Sequence, residues 1–195
     1  MGKSSVFFHY QHPDINTYFE RLYMKKIELK LSKGDLIVHS VHGIGTVKGI
    51  STKKIQGEQH VFYKIKTDRL TYWLPVVNSN SDRIRSVRAP STFASAISII
   101  RQKPQKLFNN FRSRLKYINE ELAKCSLIAN ARLIRDLHAR NLVKRLHVNE
   151  NRTYEKIKEH FINEWAVSAN ISKAEAGKRM NDALLTSGRK HSENS

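Results

Sequence analysis

Apolar positions change their period once along this chain. Between Leu31 and Val87 they come in short runs bounded by turn residues: Lys33-Gly34-Asp35 is a turn, Leu36-Ile37-Val38-His39 a strand, and Gly43, Gly45 and Gly49 follow closely. Glycines that near one another let a strand bulge or bend sharply, as a small barrel requires. Thr46-Val47-Lys48 continues through residues 50–55 to the turn Gln56-Gly57-Glu58, and residues 61–66 alternate apolar with polar. A turn at Thr67-Asp68-Arg69 leads into residues 70–74, which Pro75 stops, and residues 83–88 close the sheet. The pattern predicts a compact antiparallel β-barrel of four or five short strands.

Beyond Pro90 only Gly177 and Gly188 remain, and the period becomes helical. Ser91 or Thr92 can cap a helix over residues 93–102 that ends before Pro104, whose ring cannot donate to the ladder. Phe111, Leu115, Ile118 and Leu122 then recur on one face of a second helix. A third spans 126–143 with Leu127, Ala131, Ile134 and Leu137 inward, and a fourth spans 153–169 through Ile157, Phe161, Ile162 and Trp165. The last opens at Ser172, with Glu175 completing a capping box and Met180, Ala183 and Leu184 inward. The expectation is an α+β protein: residues 31–88 a small barrel, 89–186 a helical domain of about five helices, and 187–195 a disordered tail. Residues 1–30 are rich in aromatics but lack caps or a sustained period, so they are predicted to be a partly disordered extension. Met24 is a candidate internal start of translation, which N-terminal mass spectrometry would decide.

Composition sharpens this. The 195 residues carry 35 Lys+Arg against 17 Asp+Glu, a net charge of +18, while 39% hydrophobic residues suffice for a core. A disordered basic tail or a fibre is excluded, and polyanions become the expected partners. Cys125 is the single cysteine, which excludes a disulfide-stapled secreted scaffold and points to a reducing compartment. No apolar run approaches the roughly 18 residues that cross a bilayer. A cytoplasmic, nucleoid-associated protein without a membrane partner is expected, monomeric by default.

The charge is uneven. Residues 101–147 hold twelve basic side chains against Glu120, Glu121 and Asp136. Arg112 and Lys116 lie four apart on the second helix; Arg132 and Arg140 share a face of the third, interrupted by Asp136, with Lys144 beyond. Such stripes suit a phosphate backbone, against the alternative of a solvated helix face. Trp73 alternates with Leu70, Tyr72 and Leu74, so it is either barrel core or an exposed anchor for a protein partner beside Lys53 and Lys54. Phe111 either continues the apolar stripe or, flanked by Arg112 and Arg114, forms a wedge of the kind that pries open a base step. Catalytic chemistry is weak. Acidic residues are scattered without a set for Mg²⁺, Cys125 has the flanks of helix core, and His39 and His42 start on opposite faces of a strand. No enzyme activity, cofactor or metal is expected.

The ordered series Lys33-Gly34-Asp35, the strand to His39, His42-Gly43 with Gly45, Ile55-Gln56-Gly57-Glu58-Gln59, Tyr63-Lys64-Ile65-Lys66 and Leu74-Pro75 resembles the CarD/CdnL family of bacterial transcription regulators. The resemblance continues through residues 110–122, Leu133-Ile134-Arg135-Asp136-Leu137 and 172–184. It implies a Tudor-like barrel, shared with transcription-repair coupling factor, that docks on the RNA polymerase β subunit. It also implies a helical domain that contacts promoter DNA at the upstream edge of the bubble and stabilises the open complex. By position the family's polymerase contacts fall on Lys53 and Trp73, with Lys54, Ile55 and Pro75 around them. Its minor-groove wedge falls on Phe111, with Arg114 and Lys116 matching the basic residues beside it. Three departures stand out: Lys53 lacks the bidentate fork of an arginine, Phe111 lacks an indole N–H, and Ser40-Val41 replaces a motif that usually carries proline. From other classes, an RNA- or ribosome-associated module and a pure protein adaptor fit the same composition.

Overall fold

The computed structural model describes residues 30–76 and 83–192, with side chains to Ser187. Alternating apolar positions build β1 (Leu36–His39), β2 (Gly43–Ile55), β3 (Glu58–Lys66), β4 (Thr71–Pro75) and β5 (Ile84–Ser86), paired antiparallel in the order β4-β3-β2-β1-β5. The predicted barrel is an open sheet among the described residues. β4 pairs with β3 and β5 with β1, and no ladder joins β4 to β5. Strands of five and three residues offer few backbone groups with which to close it. One face buries Ile37, Val47, Tyr63, Ile65, Leu74 and Ile84.

Glycine does two distinct jobs in β2. The β2/β3 register slips between Val47 and Gly49, whose φ of 140° suits a bulge that L side chains resist. Gly45 lies so close to β3 that an added Cβ would come within 2.7 Å of Ile65 Cγ2. At the far end Ile55 pairs with Glu58 across Gln56 and Gly57, both at positive φ, as a type I′ hairpin requires.

Five helices follow: α1 (Pro90–Ile100), α2 (Phe111–Ala123), α3 (Leu127–Val143), α4 (Val148–Ala169) and α5 (Lys173–Ser192). α1 begins at Pro90 with Ala89 as an N-cap lacking a side-chain bond, so neither Ser91 nor Thr92 caps it. Proline's fixed φ starts the helix instead. α4 begins five residues before the predicted Thr153, because His147 caps it: its backbone N–H donates to Glu150 Oε2 at 3.0 Å and its ring accepts from Asn149 N–H. α5 runs past the predicted frayed end to Ser192, and Ser187 is buried with its hydroxyl donating to the Gln102 carbonyl. Cys125 stands outside the helices, at φ 46° in the α2–α3 turn. Phe93, Phe161 and Trp165 centre the helical core, Phe93 lying parallel to the indole at 6.0 Å.

Sheet and helices are bolted together. Arg85 of β5 donates to both carboxylate oxygens of Glu164 on α4, at 2.5 and 2.7 Å, and through Nε to the Cys125 carbonyl. Arg69 pairs with Glu159, Lys173 pairs with Asp68, and Ser168 donates to the Arg88 carbonyl.

Candidate functional site

The sheet face opposite the core gathers Lys53, Phe62, Lys64, Trp73 and Pro75, because Trp73 pairs with Lys64, Pro75 with Phe62 and Lys53 with His60. Trp73 is 42% exposed, and the Lys53 ammonium sits 3.2 Å from its ring centroid. A cation over an indole holds both side chains in one arrangement, a flat apolar plate with a fixed positive charge. Leu74 is buried on the opposite face and Tyr72 half-buried, while Leu70 precedes the strand and is exposed. Of the predicted protein contacts, Lys53, Ile55, Trp73 and Pro75 share this face by alternation. Lys54 lies on the other.

The basic helices divide into free and committed cations. Arg112, Lys116, Arg132 and Lys144 are exposed, Lys116 reaching Glu120 only at 3.9 Å. Arg114 is not a phosphate contact: it is 4% exposed, ion-paired through Nε with Glu150, and donates through Nη1 to the Phe108 and Asn109 carbonyls. The expected Arg132–Arg140 stripe is also broken. Asp136 is buried, bound by Arg135 and by the Gln105 N–H, so the 101–110 segment covers that position of α3. Arg140 is half-buried, its Nε without a partner. Phe111 opens α2, half-buried, with its ring 4.6 Å from that of His147. Asn110 caps that helix by accepting from the Ser113 N–H.

Two features escaped the periodicity. Phe108, just outside α2, is 55% exposed and rests edge-on against Tyr117. His39 and His42, predicted to diverge, come to 4.6 Å because the chain turns back between them, His39 Nδ1 accepting from the Val41 N–H. Tyr72 lies against both rings, and His160 of α4 closes on Gly43. Burial first, then His42, Arg83 and Lys156, lower His39 to about 4. Burial, then Lys156, Arg69 and the other two histidines, lower His160 to about 4. Among the described residues no group of three or more His, Cys, Asp or Glu is placed to hold a metal, and no helix is long and apolar enough to cross a membrane.

An aromatic–lysine face on a sheet, tied by ion pairs to a helical domain with exposed cations on α2 and on and just beyond α3, makes two candidate binding surfaces. Residues 31–88 match the CarD-like/TRCF RID domain, an RNA polymerase-interacting domain, and residues 95–181 match the CarD C-terminal domain. The chain belongs to the CarD-like family of transcription regulators. It is 23% identical over 141 residues, 71% of this chain and 92% of the relative, to "Putative transcription factor YdeB" of Bacillus subtilis (strain 168).

Proposed function

We propose that the protein is a non-enzymatic transcription regulator that docks on the β subunit of RNA polymerase through the outer sheet face and contacts promoter DNA at the upstream edge of the bubble. Its effect is to stabilise the open complex. The observation that carries this reading is the Lys53–Trp73 pair: a half-exposed indole held under an ammonium on the outside of the sheet presents a fixed aromatic surface, and aromatic residues are common hot spots of protein interfaces. Lys53, Ile55, Trp73 and Pro75 form the polymerase contact, with Lys54 at its margin. Phe111 is the aromatic placed at the fork, and Arg112, Lys116, Arg132, Arg140 and Lys144 supply phosphate contacts. Two modest interfaces on one chain add by effective concentration.

The test is capture of purified RNA polymerase, and of its isolated β lobes, by the full chain. Lys53→Glu with Trp73→Ala should lower capture by at least about tenfold, the scale of one hot-spot loss, with an unchanged melting temperature. Wild-type capture unaffected by the pair, or no capture at all, overturns the reading. Preference for ribosomal RNA over forked DNA in competition would replace it with the RNA-associated alternative.

A further inference from the structure

A cleft of about 630 Å³ lies between the 103–109 segment and the last turns of α3. Lys103, Lys106 and Lys144 stand exposed around it, and Arg140, half-buried and with its Nε buried without a partner, also lines it. None of these four cations makes an ion pair with a described acid. The one carboxylate present, Asp136, is already committed to Arg135 and the Gln105 N–H. The cleft is not merely basic. Leu107 and Ala139 are buried at its base, and Val143 is 74% exposed at its edge, an apolar side chain held in water beside Lys144.

Cations alone would serve a duplex, which presents phosphates and keeps its bases stacked inside. An apolar base under a cationic rim has no use for that ligand. The volume falls within the range of small-ligand sites and is far too small for a double helix. What combines negative charge with a flat apolar body at this size is a single nucleotide whose base has left the stack. The position fits as well. Asn109 lines the cleft, and its carbonyl is held at 3.0 Å by Arg114, which also holds the Phe108 carbonyl at the start of α2. The edge of the cleft and the helix start that bears Phe111 are therefore one rigid piece.

We propose that this cleft receives one unpaired nucleotide of the opened DNA strand, its phosphate on Lys106, Arg140 and Lys144 and its base against Leu107 and Val143. This rests on the promoter-DNA reading and adds a strand-specific site to it. An aromatic at the fork displaces bases, and an adjacent receptor that holds one of them slows reclosure.

The experiment compares the full chain binding a blunt duplex and a forked duplex with single-stranded arms, by anisotropy at fixed salt. Wild type should prefer the fork by about tenfold, the scale of one captured base, and 2-aminopurine in the arm should change its fluorescence on binding. Val143→Asp changes an exposed side chain and places charge against the base. It should cut the fork preference to what Phe111 alone supplies while weakening blunt-duplex binding much less, since the added carboxylate offsets part of Lys144 but removes no cation. Lys106→Ala with Lys144→Ala should weaken both, the fork more. Equal wild-type affinity for fork and blunt duplex, or a fork preference that Val143→Asp leaves unchanged, overturns the proposal and leaves DNA binding standing. Failure to bind either DNA overturns both.

Discussion

Arg114 shows how differently one residue reads in sequence and in space. Beside Phe111 and Arg112 it looks like a phosphate contact, but Glu150, 36 positions away, takes its guanidinium out of play. Burial pushes the Glu150 carboxyl up, but Arg114 and the His147 amide together outweigh it and hold the carboxyl below its ordinary value. A lowered carboxylate pKa contributes stability above the unfolded value, lost as pH falls through the folded one. Arg114→Ala would strand a buried carboxylate and release the Phe108 and Asn109 carbonyls. The expected cost is about 3–5 kcal/mol, read as a fall in urea midpoint, and Arg114→Lys should recover only part because it cannot make the fork. Were Arg114 a phosphate contact, Arg114→Ala would weaken DNA binding without lowering stability. For Trp73 strand alternation, which is local, set the indole on the face opposite Leu74 but left open which face is core, and the burial of Leu74 decides it. For Phe111 the structure retains both expectations, since the ring packs on His147 while remaining partly open.

At the level of elements the sequence was most informative where glycine and alternation spoke together, and least where a cap was unusual. β1, β4 and the Gln56-Gly57 turn fall within a residue of expectation and β2 and β3 each begin three residues earlier than expected, whereas closure of the barrel depends on strand ends that no local pattern encodes. The start of α4 was missed because histidine is not among the strong capping residues, and its bond partners become visible only once the helix exists. The close glycines make a sharper prediction. Gly45→Ala would bring a methyl within 2.7 Å of Ile65 Cγ2 and 3.3 Å of the Lys66 carbonyl, against a paired strand that has little room to shift. About 1–3 kcal/mol should be lost. Gly57→Ala meets nothing within 4 Å and pays only for its positive φ, about 1 kcal/mol. Equal urea midpoints for the two variants would contradict the packing explanation for Gly45.

The whole molecule depends on its junction, and the junction has a pH limit. Arg85–Glu164, Arg69–Glu159 and Lys173–Asp68 tie sheet to helices across separations that no sequence pattern links. Between them lies a histidine cluster, where His39, His42 and His160 feel Lys156, Arg69 and Arg83, pack with Tyr72, and share their clefts with the carboxylates of Asp68, Glu155, Glu159 and Glu164. His39 and His160 titrate near 4 in the folded protein and near 6.5 when unfolded. Between those values the unfolded chain binds more protons, so stability is fully present above about pH 6.5 and is lost as pH falls toward 4. Net charge of +18 would also strain the fold in acid, as carboxylates protonate and repulsion grows. Substitution separates the two effects. His160→Gln removes one titrating group but leaves every carboxylate and nearly all the charge in place. Its melting temperature at pH 7 should be lower, from lost packing on Gly43, yet its decline between pH 6.5 and 4.5 should be shallower than that of the wild type. Parallel declines would place the acid sensitivity in the global charge, whereas a shallower one assigns it to the contact between α4 and the sheet, the joint that sets the outer sheet face against the basic helices.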